Sequence, residues 1–205
     1  AIGEGVAMVW GDKTLRTCML YWATCAFVVG GVTQVALPVL AETRLHGASA
    51  LGLLVGVSGA GSLLGMMLTG VLGKVRIGTF GLTLLVADGV AGLLLLPLGL
   101  VDATWQAAIP LGLLGVISGC MQVAVFSWIQ QRVPRAMLGR AMSIFMFIFM
   151  GLAPLSAAIS GFLLKYLSLG QMFMGAGVFL VAFALLAGLF TQIPRISDAA
   201  GPEQA

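Results

Sequence analysis

Long stretches of the chain are almost free of charge, and this pattern predicts where its helices lie. Six apolar runs of 22 to 24 residues are separated by loops of 6 to 11 residues. A bilayer core about 30 Å thick needs about 20 apolar residues of helix, so each run can cross it. The runs lack the polar–apolar alternation of membrane β-strands. We therefore predict an all-α membrane protein with six transmembrane helices, over residues 18–40, 50–72, 79–100, 107–129, 141–164 and 172–193.

The composition excludes other classes of protein. Of the 205 residues, 60% are apolar and 8% are charged, whereas soluble domains carry about 25% charged residues. Three cysteines are too sparse, and odd in number, for a secreted disulfide scaffold. They also have no cluster of further ligands that would complete a metal site. We expect a polytopic membrane protein without a metal or other cofactor.

The basic residues lie mostly on one side of the predicted membrane. That side holds Lys13, Arg16, Lys74, Arg76, Arg132, Arg135, Arg140 and Arg195, and the other holds Arg44 and Lys165. Because Lys and Arg concentrate in cytoplasmic loops, we expect both termini in the cytoplasm. Residues 1–17 are then a cytoplasmic lead-in, residues 18–193 the transmembrane domain and residues 194–205 a cytoplasmic tail. The excess of basic over acidic residues follows from this topology and does not indicate nucleic-acid binding.

The sequence contains a weak internal repeat. At an offset of 88 residues, Gln34-Val35-Ala36 matches Gln122-Val123-Ala124, and Arg44 matches Arg132. The repeat unit is three spans, an odd number, so its two copies must have opposite orientations in the membrane. Inverted three-helix repeats are typical of secondary transporters, which bind substrate near the midplane between repeats.

Two segments of the second half resemble a known family. Residues 131–143 (Gln-Arg-Val-Pro-Arg-Ala-Met-Leu-Gly-Arg-Ala-Met-Ser) are similar to the loop between the tenth and eleventh helices of major facilitator superfamily exporters. Residues 151–156 (Gly-Leu-Ala-Pro-Leu-Ser) are similar to the eleventh helix, and the lead-in looks like the central loop before the seventh. The branch that the chain resembles most contains macrolide-efflux and siderophore-export proteins.

The resemblance covers the whole chain and implies the C-terminal half of a twelve-helix transporter. The expected partners are then the lipid bilayer, the N-terminal six-helix half of the same transporter, a small-molecule substrate and protons. The implied activity is export of small apolar or amphipathic compounds by proton antiport and alternating access. The implied location is a bacterial inner membrane. The chain has no phosphate-binding loop of its own that would supply ATP hydrolysis.

The loop over residues 70–78 departs from the family. It corresponds to a gating motif rich in Gly, Asp and Arg, and it keeps Gly70, Lys74 and Arg76. No aspartate is present there. A charge-relay gate in this loop is therefore doubtful, and the two basic residues can also be explained by membrane topology alone.

Two further positions fit the family pattern. Gly139 and Arg140 match the second cytoplasmic loop motif, and we expect them to take part in a gate. Pro154 lies inside the fifth span and lacks an N–H group, so it is expected to kink the helix beside Gly151.

Gln34 and Gln122 lie within the first and fourth spans at matching positions of the repeat. Hydrocarbon cannot satisfy the hydrogen bonds of a side-chain amide. The two residues could line a substrate cavity, or they could join helices through hydrogen bonds worth about 0.6 to 2 kcal/mol. The sequence leaves both interpretations open.

Asp88 is the one ionisable carboxyl group inside a predicted span. It shares a helix face with Gly81, Gly92 and Gly99, and glycine faces pack closely, so Asp88 should point into the bundle. One interpretation is a protonation site that couples proton movement to export. The other, which we favour because the resemblance places this helix at the periphery, is a neutral Asp hydrogen-bonded to a neighbouring helix.

Other functions were weighed from the same residues. The stretch 56–59 (Gly-Val-Ser-Gly) spells the nucleophile motif of rhomboid proteases, but the only histidine, His46, lies upstream in a short loop. Without a base on a later span the serine cannot be activated, so we do not expect an enzyme. The alternative to a transporter is a non-transporting membrane scaffold or assembly module.

Overall fold

A computed structural model describes residues 11–45, 47–73, 78–133, 135–191 and 193. Over these residues the secondary structure is helical, without strands. Six helices are long and apolar enough to cross a membrane. They are α1 (Lys13–Arg44), α2 (Ala48–Leu72), α3 (Phe80–Leu100), α4 (Thr104–Arg132), α5 (Leu138–Leu163) and α6 (Leu169–Phe190). The predicted set of six apolar helices is confirmed.

Capping residues set where several helices begin. The Asp12 carboxylate accepts hydrogen bonds from the backbone N–H groups of Thr14 (2.9 Å) and Leu15 (3.2 Å). Ser168 and Gln171 form a reciprocal capping box at the start of α6. The first helix consequently begins at residue 13, five residues before the charge-free run from which its span was predicted. A charge-free run shows only where the apolar stretch lies, whereas the capping residue determines where the helix starts.

The first helix changes its winding halfway along. It is α-helical over Lys13–Gly31, π-helical over Val32–Ala36 and α-helical again over Leu37–Arg44. In a regular α-helix, residue 38 would donate its N–H to the carbonyl of Gln34, but Pro38 has no N–H to donate. The backbone instead makes a wider bond, from the N–H of Leu37 to the carbonyl of Val32.

The helices pack in three main pairs, α2 with α4, α3 with α6 and α1 with α5. Smaller contacts join α3 to α4 and α1 to α6. Small residues line the main pairs and allow the backbones to approach closely. In the α3–α6 pair, a Cβ atom on Gly92 would lie 2.8 Å from the carbonyl oxygen of Gly177. In the α1–α5 pair, Gly31 lies against Ser156 and Ser160.

The α2–α4 pair has the tightest backbone contact. Gly61 and Gly65 of α2 face the backbone of α4, while Gly115 and Gly119 of α4 face the backbone of α2. A Cβ atom on any of the four would overlap a carbonyl oxygen of the other helix. Glycine is therefore required here for steric reasons.

Candidate functional site

Gln34 lies at the centre of the π-helical segment of α1, and its side chain is exposed at the surface of the bundle. Among the described residues it has no hydrogen-bond partner. The neighbouring Thr33 hydroxyl, in contrast, donates back to the carbonyl of Val29 at 2.8 Å. The π-helical segment therefore carries an amide whose hydrogen-bonding groups are available to a molecule outside this chain. Short π-helical segments are frequent at functional sites.

Gln122, the matching residue of the repeat, is exposed on α4. Ser118, one turn earlier on the same face, is exposed as well. The structure does not hydrogen-bond Gln122 to Gln34 or to any other described residue. Two helices of membrane-spanning length thus present polar side chains on their outer surface. Lipid cannot satisfy these groups, so water, another protein segment or a ligand must do so.

Aromatic side chains form a cluster where α1, α4 and α5 meet. Trp22 of α1 stacks on Phe145 of α5 with ring centroids 4.9 Å apart, and Phe149 lies 5.2 Å from Trp22. Phe126 of α4 meets Phe145 edge-on at 5.4 Å. A shallow cleft between α1 and α5 is lined by Met19, Trp22, Ala23, Phe145, Ile148 and Phe149. The cluster is not among the sites predicted from the sequence, although the four-residue spacing of Phe145 and Phe149 places both rings on one helix face.

An ion pair joins the start of α1 to the end of α4. Arg132 donates two hydrogen bonds to the Asp12 carboxylate, from Nε at 2.8 Å and from Nη2 at 3.3 Å. The guanidinium also lies 5.5 Å from the ring centre of Trp128. Partial burial raises the pKa of Asp12, but the Arg132 guanidinium and the N–H groups of Leu15 and Thr14 outweigh it, and the net pKa is lowered.

Three of the sequence-predicted gate residues lie at helix ends. Gly139 and Arg140 are exposed in the first turn of α5, where the Ser143 hydroxyl donates to the Gly139 carbonyl at 2.9 Å. Gly70 is exposed in the last turn of α2. The structure therefore does not bring these glycines into the helix-packing contacts. Lys74 and Arg76 lie outside the described residues.

The predicted kink residues, Gly151 and Pro154, are both exposed on α5. The helix is continuous over Leu138–Leu163, with Pro154 inside it. A further proline, Pro110, lies inside α4, is buried and is not among the predicted kink residues.

Asp88 is half-buried as a whole, but its Oδ2 atom is fully enclosed and has no hydrogen-bond partner. The Tyr21 hydroxyl and the Cys25 thiol of α1 are its polar neighbours. The Tyr21 hydroxyl is itself buried without a hydrogen bond. The ring of Tyr21 stacks on Phe183 of α6, with centroids 5.1 Å apart. Both sequence interpretations of Asp88, a protonation site and a neutral side chain hydrogen-bonded to a neighbouring helix, stay predictions.

Within the described ranges, no three His, Cys, Asp or Glu residues are grouped so that they could hold a metal ion. Comparison with protein-family models, curated proteins and solved structures gives no match for this chain. Over the residues that the structure describes, the fold is that of a multi-pass membrane protein with six apolar helices. The resemblance to major facilitator exporters remains a prediction from the sequence.

Proposed function

We propose that this chain is one six-helix unit of a secondary-active transporter, which exports small apolar or amphipathic molecules by proton antiport. The observation that carries the proposal is the exposed amide of Gln34 at the π-helical segment of α1. An amide that faces away from its own bundle at membrane depth needs a polar occupant opposite it. A substrate in an aqueous cavity provides that occupant during each transport cycle.

The surroundings of Gln34 and Gln122 suit an amphipathic substrate. Each amide supplies donors and an acceptor for a polar group. The cluster of Trp22, Phe126, Phe145 and Phe149 offers aromatic surface for the apolar part. Flexible, polarisable methionines such as Met146 and Met150, which are exposed on α5, also fit a surface that accepts varied apolar compounds.

Support for an inverted repeat comes from the pairing of the helices. If α1–α3 correspond to α4–α6, exchanging the two sets turns the α2–α4 pair into the α5–α1 pair. The same exchange leaves the α3–α6 pair unchanged and turns the α3–α4 contact into the α6–α1 contact. All of these contacts are present. This is the pairing that two inverted three-helix units would produce, and it matches the repeat between Gln34 and Gln122.

The proposal also assigns the chain a partner and a location. The polar outer faces of α1 and α4 would meet the N-terminal six-helix half of the same transporter across a shared cavity. Alternating access would then be a rocking of the two halves around that cavity. Both termini would be cytoplasmic, in a bacterial inner membrane.

The test is transport by the intact parent protein in proteoliposomes with an imposed proton gradient. A panel of antibiotics, dyes and siderophores serves as candidate substrates. We expect Gln34→Ala and Gln122→Ala each to weaken apparent substrate affinity about three- to tenfold, since a lost hydrogen bond costs roughly 0.5 to 1.5 kcal/mol. Gln130→Ala, at an exposed glutamine in the last turn of α4, is the matched control and should transport normally.

Failure of the gradient to drive any compound of the panel would favour the scaffold alternative. Equal effects of all three substitutions would remove Gln34 and Gln122 from the substrate site.

A further inference from the structure

We infer that Asp88, together with the Tyr21 hydroxyl and the Cys25 thiol, forms a proton-binding site at the junction of α1, α3 and α6. The inference deepens the proposed function and rests on it, because it names the residues that would carry the coupling proton. The site is separate from the glutamines that face the substrate.

The geometry encloses one oxygen of the carboxyl group. Asp88 Oδ2 and the Tyr21 hydroxyl are both shielded from solvent, and neither makes a well-formed hydrogen bond. Tyr21 is 3% exposed and Cys25 is 2% exposed. The three groups are close enough to interact electrostatically. Buried polar atoms without a well-formed hydrogen bond are rare in folded proteins, and such groups are often functional.

The surrounding charges favour a bound proton. From α1, the titratable groups near Asp88 are Tyr21, Cys25 and Cys18. Helix α6 contributes no titratable residue over Leu169–Phe190, and the apolar part of α4 contributes only Cys120. None of these groups is a cation that could balance a carboxylate. An unpaired charge in a membrane interior is costly, and a carboxyl group avoids that cost by binding a proton.

Helix α1 carries both this site and the ion pair at its own start. Cys18, one turn before Tyr21 on α1, is buried and lies between the two in the sequence. Arg132 in turn holds Asp12 at the start of α1. The proton site and the ion pair at the membrane surface are thus connected along one face of α1.

The position of Tyr21 and Cys25 on α1 explains how proton binding would be coupled to transport. The same helix carries Gln34, and its π-helical segment separates the two regions. A substrate that shifts α1 at Gln34 would move Tyr21 and Cys25 relative to Asp88. A small movement would make or break their hydrogen bonds to the carboxyl group and so change its affinity for a proton.

The direct test is labelling of the intact parent protein in membranes with dicyclohexylcarbodiimide. This apolar reagent adds to protonated carboxyl groups, and the modified residue is located by mass spectrometry. We expect the peptide containing Asp88 to be labelled, and the labelling to be lost as the pH is raised. Asp88→Asn, which keeps the shape of the side chain, should abolish labelling of that peptide. Asp102→Asn, at an exposed carboxyl before α4, should leave Asp88 labelling unchanged.

Tyr21→Phe tests the rest of the site, because it removes the hydroxyl but keeps the ring that stacks on Phe183. We expect a shifted pH profile of Asp88 labelling. An unchanged profile would remove Tyr21 from the site. Labelling that does not depend on pH, or no labelling of Asp88 in a folded protein, would overturn the proposal.

Transport measurements separate this proposal from the proposed function. We expect Asp88→Asn to lose accumulation driven by a proton gradient while it retains exchange of substrate across the membrane. Wild-type accumulation in Asp88→Asn would contradict a coupling role. If the wild-type protein transports nothing and Asp88 is still labelled in a pH-dependent manner, the transporter proposal fails and the proton site stands.

Discussion

Asp12 and Arg132 are 120 positions apart in the sequence, and their ion pair shows how individual residues can have more than one role. Asp12 caps α1 through its Oδ1 atom and also binds Arg132. The sequence accounts for Arg132 as one of the basic residues of the predicted cytoplasmic loops and as the match to Arg44 in the repeat. No local pattern connects it to Asp12, because the contact depends on how α1 and α4 are arranged in space.

This ion pair predicts a pH-dependent contribution to stability. The pKa of Asp12 is lower in the folded protein than in the unfolded chain. Its stabilising contribution is therefore complete above the unfolded pKa of about 3.9 and is lost as the pH falls through the folded pKa. Because both side chains are partly exposed (23% and 33%), the contribution should be at most about 1 kcal/mol.

Asp12→Asn removes the negative charge but keeps the cap, since Asn can still cap the helix. We expect the purified variant to unfold at a lower temperature than wild type near neutral pH, and the difference to vanish in acid. A difference of the same size at both pH values would mean that capping, and not the ion pair, is responsible. Asp102→Asn provides the control for removing an exposed carboxylate elsewhere.

At the scale of helices, apolar length was predictable and mutual packing was not. Runs of 22 to 24 apolar residues identify membrane helices because the bilayer thickness demands that length. Glycines, however, occur on many faces, and the sequence does not show which of them meet. Gly81, Gly92 and Gly99 share a face with Asp88. Gly92 and Gly99 contact α6 and Gly81 meets Ile193 beyond the end of α6, whereas Asp88 lies near α1.

The α2–α4 contact predicts that alanine destabilises the protein at one glycine, in the contact, and not at another glycine outside it. A Cβ atom at Gly115 would meet the backbone carbonyl of Ser58, which cannot move without separating the helices. We expect Gly115→Ala to destabilise the protein by about 1 to 3 kcal/mol, as overpacking does. At Gly56 of α2 nothing lies within 4 Å of the added atom. Gly56→Ala should therefore be neutral or stabilising by about 0.5 to 1 kcal/mol, since alanine favours helix.

Thermal or denaturant unfolding in detergent measures both variants against wild type. Equal stability of Gly115→Ala and wild type would show that α2 and α4 are not in close backbone contact in the membrane. A destabilised Gly56→Ala variant would instead place a further helix or partner segment against that face of α2.

At the scale of the whole molecule, the six-helix architecture could be predicted because a single physical quantity, apolar length, dominates it. The candidate site could be predicted only in part. Gln34 stood out as an amide inside an apolar span, but its exposure and its π-helical backbone emerge only from the structure. The aromatic cluster and the Tyr21–Cys25–Asp88 site each combine residues from different helices, and one sequence cannot reveal such a combination.

The last prediction concerns the orientation of the whole bundle. Eight basic residues on one predicted side against two on the other predict that the loop after α1 is outside and that the loop between α4 and α5 is in the cytoplasm. Glu42 and Arg135 are exposed near these two loops. In a Cys120→Ala background, a membrane-impermeant maleimide applied to intact cells should label Glu42→Cys and not Arg135→Cys. Opening the cells should make Arg135→Cys reactive, which controls for its accessibility. The reverse pattern would invert the topology and would place the Asp12–Arg132 ion pair on the outer side of the membrane.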